Sequence, residues 1–394
     1  MAWLVSLPTH FRIALVAGLF ALAWVVHATV EALMAPGVQP DFANKDFANY
    51  WTAGKLVLSG RTADLFGPQP VYFEHLKGAF GADYPWHNWS YPPHYLLLVW
   101  PLGFFGYKTA MMLFLGVTCI FYLRAVGEFA GRRNHLVWIA LLPLLAHNLW
   151  AAQNGYLFAG CAIAALALRG SRPVLAGIFL GVLTIKPQLG LLFPFLLLAE
   201  RRWLVIVSAS MTTIALVVLS SVVFGLENWQ GYLGEVVPYQ ALVMRELNGT
   251  FLEMLPSVYG ALRNWGVASE TALPVHLVVA VPVFLSALAG FFLARSDEDR
   301  SILLLVATFA VSPYALTYDL GLLAPALGLL AARLADTDRV AGAILVVAIL
   351  LPVIMMPLGA LHIVIAPAVI LWVYAFALHE SGAWRRMKAM LRPA

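Results

Sequence analysis

Charge is what this sequence has least of: only 11% of its 394 residues are Asp, Glu, Lys or Arg, while 62% are hydrophobic. Soluble domains carry roughly 25% charged residues, so a water-soluble fold is excluded. Cysteine is nearly absent too. Cys119 and Cys161 both fall inside apolar runs, with no CxxC or Cys/His spacing, so the cysteines encode neither a disulfide framework nor a metal site. No internal repeat is evident, and no soluble stretch could form a nucleotide-binding domain. The formal net charge of +4 could suggest nucleic acid, but the basic residues sit in short clusters between apolar runs, where they report orientation instead. No nucleic-acid partner is expected.

What the chain has is apolar length. Runs able to cross a hydrocarbon core of about 30 Å recur from Phe11 to Leu378, so the membrane part is the whole chain, 1–394, read as one domain. Punctuation by charge, Pro and Gly predicts twelve spans: 11–34, 106–126, 135–150, 155–169, 173–185, 188–199, 203–224, 272–295, 300–316, 319–334, 339–358 and 361–379. The first, with Arg12 ahead of it, resembles a signal peptide but is too long and lacks a small-residue cleavage site, and is read as a retained span. The fold class is therefore an all-α polytopic membrane protein of about twelve transmembrane helices.

Orientation follows from Lys and Arg. With the N-terminus inside, Arg132/Arg133, Arg169/Arg172, Arg201/Arg202, Arg295/Arg300, Arg333/Arg339 and the tail Arg385, Arg386, Lys388 and Arg392 all fall on the cytoplasmic side. Both termini are then cytoplasmic, in a cell (plasma or inner) membrane. Two long segments, 35–105 and 225–271, are left outside. Phe47, Tyr50, Trp51, Leu56 and Leu58 are interleaved with Lys55 and Ser59, and Trp229, Tyr232, Val236, Val237 and Tyr239 recur in the second segment. Such patterns suit helices lying on the bilayer surface, or else packing against the bundle. His94 to Phe105, bounded by prolines, is too short to span and reads as re-entrant.

Polar chemistry gathers at a few breaks. The spans around Gln153-Asn154 and Lys186 are short, so their outer tips should stop below the outer interface and line a cavity open to the outside. A cation at membrane depth costs about 2.5–3.5 kcal/mol or more, so Lys186 needs an anionic partner: a lipid phosphate, or an internal carboxylate if it does not snorkel. Asp41 and Asp46 follow the first span. One positioned Asp there could take a proton from a hydroxyl as a general base, and Asp41 is the better candidate for capping a helix. Asp319, in Thr317-Tyr318-Asp319, could pair with Lys186, hold an acceptor hydroxyl or cap the next helix. His147, Asn148 and His362 are possible phosphate or sugar contacts. No cofactor and no metal are called for.

Asp46-Phe-Ala-Asn-Tyr50-Trp-Thr-Ala-Gly54 with Gly60, then Ser90-Tyr-Pro-Pro-His94, Gln153-Asn154-Gly155, Ala176-Gly177 with Gly181, Lys186-Pro187 and Ser312-Pro313 resemble, in order, the pattern of glycosyltransferase family 87. The resemblance runs to about residue 330. It implies a GT-C-type bundle that takes a hexose, mannose being the family's best-known sugar, from a polyprenyl-phosphate donor and inverts the anomeric centre. The external acid acting as base would be Asp46, not Asp41. Lys186 would meet the donor phosphate, and Gln153 and Asn154 would line the sugar or phosphate site. Apart from the resemblance, His147 is read as a further donor contact, and Asp41, Tyr50, Tyr318 and Asp319 as acceptor or structural residues. The acceptor would be a glycolipid or glycan. One departure is Thr317-Tyr318-Asp319, where the family pattern implies an aromatic followed by His. A transporter or lipid flippase, which also needs a polar cavity and an ionisable residue, is the alternative.

Overall fold

The computed structural model describes residues 7–38, 40–43, 45–131, 134–334 and 338–390, apart from the side chains of Pro40 and Asp41. Arg132, Arg133 and Arg392, and the Asp41 side chain, thus lie outside the described residues. Among the described residues the structure is helical, with no strand. Each of the twelve apolar runs coincides with helical structure. Five helices are long and apolar enough to cross a membrane: Thr9–Met34, Tyr107–Ala130, Trp203–Phe224, Ser269–Leu293 and Arg339–Ala360. Thr9–Met34 and Trp203–Phe224 are least covered by protein, with 11% of their most apolar windows buried, so their apolar side chains are left for lipid.

The remaining apolar helices are short for local reasons. After His135–Ala151 the backbone turns left-handed at Ala152 (φ 49°) and resumes as Gly155–Leu168, so Gln153 and Asn154 lie in a break. Pro173–Leu183 stops before Lys186, and Pro187 starts a separate single turn. At 1.5 Å per residue the 14 residues of Gly155–Leu168 and the 11 of Pro173–Leu183 reach only about 21 and 16 Å. The run read as 188–199 is divided into Pro187–Gly190 and Phe193–Ala199, and that read as 319–334 begins with a 3₁₀ turn, Thr317–Gly321, ahead of Leu323–Arg333.

Several motif glycines are there for close approach. A Cβ on Gly177 or Gly181 would sit 2.5 Å from Ser208 or Thr212, so Pro173–Leu183 and Trp203–Phe224 touch through their backbones. A Cβ on Gly155 would lie 2.3 Å from both Asn148 Oδ1 and the Tyr318 carbonyl oxygen, which explains the glycine after Gln153-Asn154. Gly54 of the Phe47–Leu58 helix presses on Gly103, whose nitrogen would be 2.7 Å from an added Cβ. Gly54→Val is therefore expected to lower stability by about 1–3 kcal/mol through overpacking, read as a lower thermal unfolding midpoint in detergent.

The same helix settles one open reading. Phe47, Tyr50 and Leu56 are buried, and the helix packs on the Leu96–Val99 and Trp100–Phe104 turns and on Tyr107–Ala130, while Leu58 stays exposed. Most of the apolar face that suited a bilayer surface is spent on protein packing. An apolar stripe specifies burial without saying whether lipid or protein provides it.

At the end of the bundle away from the two breaks, the basic clusters find partners. Arg169 holds Glu200 with two bonds of 2.8 and 3.1 Å, Arg202 reaches Asp297 at 3.1 Å, Arg300 reaches Asp297 at 2.6 Å, and Arg333 reaches Asp299 at 2.5 Å. Arg169, Arg202 and Arg300 are linked through Glu200 and Asp297, and Arg333 pairs beside them with the same helix, so several loops that the orientation rule assigns to one side meet at one end.

Candidate active site

Asp46 occupies the position before the first turn of Phe47–Leu58, yet its side chain makes no capping bond. It turns instead into a crevice of about 650 Å³, a size ordinary for a ligand site. Asp46, Asn49, His87, Gln153, Lys186 and Gln188 form a polar wall. The rest of the lining is largely apolar, with Gln240 among it. Val237, Ala241, Met244 and Leu247 come from one face of the Val237–Glu246 helix and its end, and Phe251, Met254 and Leu316 continue the surface. Val237 and Leu247 are 42% and 40% exposed, uncovered apolar groups at the mouth of a polar site.

Lys186 is buried, and its Nζ donates to Asp319 Oδ1 at 2.8 Å. Its ammonium also lies 4.5 Å from the centre of the Tyr318 ring and 5.7 Å from that of Phe158, a favourable setting for a desolvated cation. Asp319 Oδ2 accepts the Leu316 N–H at 3.1 Å. Of the three roles open to Asp319 in the sequence, pairing and capping are both fulfilled, one by each oxygen. The Thr317–Gly321 turn that carries it is pinned by three bonds. His147 Nε2 meets Thr317 Oγ1 at 2.7 Å, Asn148 Nδ2 donates to the Tyr318 carbonyl at 3.0 Å, and the Tyr122 hydroxyl donates to the Gly321 carbonyl at 2.8 Å.

Tyr50 is buried beside the crevice. Its hydroxyl donates to Gln153 Oε1 and pairs with Tyr91 Oη at 3.0 Å, while Gln153 Oε1 also accepts the Asn154 N–H at 3.2 Å. With that oxygen occupied, the Gln153 amide offers its NH₂ end as a donor. Asn49 is treated likewise: its Oδ1 accepts the Tyr72 hydroxyl at 2.7 Å, leaving its NH₂.

The structure thus brings Asp46, Gln153, Lys186 and Tyr318 to one crevice, with Tyr50 and Asp319 directly behind. It does not bring Asn154 or His147 to the wall: Asn154 meets the Tyr95 hydroxyl at 3.5 Å and His147 is bonded to Thr317. His362 binds the Asn264 carbonyl at 3.0 Å, elsewhere in the molecule. His94 is stacked on Trp229, rings 5.5 Å apart and 7° from parallel. Sequence reasoning missed His87, whose Nε2 is 3.5 Å from Asp46 Oδ1, because a loop residue carries no periodicity; its only signal was its place just ahead of Ser90-Tyr-Pro-Pro-His94.

Burial pushes the Asp46 carboxyl above its ordinary pKa of 3.8, and the charges of His87, Lys186 and Lys45, in that order, pull it back. Asp46 is therefore a stronger base than a free carboxylate, held beside three basic groups. Among the described residues no three His, Cys, Asp or Glu side chains gather as a metal site would require.

Five helices long and apolar enough to cross a membrane, in one chain with a crevice lined by an acid and a lysine, are the features of a helical membrane protein with a polar site. Residues 89–313, more than half of the chain, match the sequence model of glycosyltransferase family 87, and the chain belongs to that family. Asp46 and Asp319 lie on either side of the matched stretch, whereas Gln153 and Lys186 lie within it. No curated protein and no solved structure matches the chain.

Proposed function

We propose that this glycosyltransferase moves a hexose from a polyprenyl-phosphate donor to an acceptor hydroxyl on the extracytoplasmic side, with inversion at the anomeric carbon. The observation that carries the reading is the single crevice lined by both Asp46 and Lys186 in a chain of this family. The sugar phosphate lies along the polar wall, its phosphate toward Lys186 and the Gln153 amide. The apolar wall from Val237 to Met254 suits a hydrocarbon chain, so the lining as a whole matches an amphiphile.

Asp46 takes the acceptor proton as the new bond to the anomeric carbon forms, while Lys186 stabilises the charge that collects on the departing phosphate. A unit charge pair 4 Å apart is worth about 4 kcal/mol at an effective dielectric of 20, an attraction that Asp319, bonded to the same ammonium at 2.8 Å, offsets in large part, so the Gln153 amide shares in holding the phosphate. Sidedness rests on the ionic network at the opposite end of the bundle: placing Arg169, Arg202, Arg300 and Arg333 in the cytoplasm leaves the crevice outside. Mannose is the sugar to try first, and a glycolipid or glycan the acceptor.

The test is incubation of the reconstituted protein with radiolabelled polyprenyl-phosphate mannose and membrane lipid extract. A labelled glycolipid or glycan whose formation needs the protein is the expected result. Label that crosses the bilayer with no covalent product would establish the transporter or flippase reading instead.

A further inference from the structure

We infer that His87 is the positioning residue of the reaction proposed above: its Nε2–H holds the Oδ1 edge of Asp46, so that Oδ2 alone faces the acceptor hydroxyl. The inference rests on the transferase reading and adds to it a residue that neither the family pattern nor the sequence singled out.

The geometry of one ring carries it. His87 Nδ1 lies 3.2 Å from the Pro85 carbonyl oxygen, which can only accept, so Nδ1 carries a proton. In the neutral ring Nε2 would then be bare and would set its lone pair against a carboxylate oxygen 3.5 Å away. The contact is attractive only with a proton between the two atoms. The pair is attractive when Nε2 carries a proton, at a distance that permits tightening when substrate fills the crevice.

The surroundings fix both halves. The His87 ring lies against Tyr84, centroids 5.4 Å apart, and the Tyr84 hydroxyl donates to the Ala43 carbonyl at 3.1 Å. Residues 84–87 are thereby tied to the stretch that leads into Asp46. The His87 and Asp46 side chains are 18% and 34% exposed, so the pair sits at the border between the packed segment and the crevice. The charged groups acting on Asp46 are His87, Lys186 across the wall and the adjacent Lys45, whose ammonium lies over Trp150 at 4.6 Å. The remaining titratable neighbours are the phenols of Tyr50, Tyr72, Tyr84, Tyr91, Tyr107, Tyr314 and Tyr318.

The protons balance without a further reagent. As the acceptor oxygen bonds to the anomeric carbon, the bond from that carbon to the phosphate oxygen breaks and its electron pair leaves with the phosphate. The hydroxyl proton passes to Asp46 Oδ2. The pair then holds one proton more than at rest and returns it to water when the product leaves.

His87→Gln keeps a polar group but cannot carry the charge. It is expected to lower kcat by about 10- to 100-fold near neutral pH while KM for the donor stays within about threefold. The acid limb of the kcat/KM profile should move to higher pH, because the charge opposing the raised carboxyl is gone, while the loss due to misorientation persists on the alkaline plateau. An unshifted limb with kcat within twofold of wild type overturns the inference. If the Gln variant does not fold, His87→Ala decides: recovery of transfer with added imidazole supports the role, and no recovery sinks it. The transferase reading fails separately, through an active Asp46→Asn or the absence of any glycosylated product.

Discussion

Asp46→Asn is expected to lower sugar transfer by about 10² to 10⁴-fold, the usual contribution of a positioned proton acceptor, while the protein folds and is extracted as before. Folding should be spared because the Asp46 side chain makes no capping bond and is part exposed to the crevice, so an amide of the same shape leaves no buried group unsatisfied. The pH dependence follows from the same environment. Burial raises the carboxyl pKa, so the ionised, active form is present above the raised value and is lost as pH falls through it. The acid limb of the wild-type profile should therefore lie above the 3.8 of an unperturbed carboxyl, and it should be absent from any residual activity of Asp46→Asn. Near-wild-type turnover by Asp46→Asn would remove the base from the scheme.

The second large effect concerns the buried pair. Lys186→Met removes the cation proposed to meet the phosphate and also leaves Asp319, 1% exposed, without its counter-ion. The expected result is a loss of transfer of at least about 10²-fold together with destabilisation of about 3–5 kcal/mol. One variant cannot separate the two consequences. Lys186→Met combined with Asp319→Leu removes both charges, and a buried pair exchanged for apolar groups of similar volume is often neutral for stability. The double variant should recover much of the unfolding midpoint, short of the whole because the Leu316 N–H loses its acceptor, and remain inactive. Recovery of activity along with stability would mean that Lys186 serves only to neutralise Asp319.

The scaffold was legible because apolar length is a strong signal. The run read as 203–224 is the Trp203–Phe224 helix residue for residue, and 135–150 differs from His135–Ala151 by one. What blurred was backbone detail at breaks, such as the left-handed Ala152 and the 3₁₀ turn at Thr317–Gly321, where polar side chains and neighbouring helices decide the conformation. Depth reasoning alone brought Gln153 and Lys186 to one place, since both follow from short helices. Contacts from distant parts of the chain were beyond it. That Lys186 pairs with Asp319, 133 residues away, was one possibility among three, and His147 finding Thr317 across 170 residues was not anticipated. The inward-turned apolar face of Phe47–Leu58 was undecidable for the same reason, because lipid and protein present the helix with the same apolar demand.

The two walls of the crevice differ in stiffness. Below Lys186, the Thr317–Gly321 turn is fastened by Tyr122, His147 and Asn148 and closed internally by Asp319, so it works as an anvil that cannot yield without breaking several buried bonds at once. The Val237–Glu246 helix, by contrast, meets residues 86–90 through the Gln240 to Ser90 bond of 3.0 Å and the Trp86 to Tyr239 ring contact along its first half, while its end is held by Tyr259 and Arg263, which donate to the Met244 and Arg245 carbonyls at 2.6 Å. Any breathing that admits a bulky ligand and later releases it belongs to the first half of this helix, a shutter hinged at its fastened end, and amide exchange should be faster along 237–242 than along 317–321. Loosening the shutter would then govern how quickly product departs, leaving the bond-making step itself untouched.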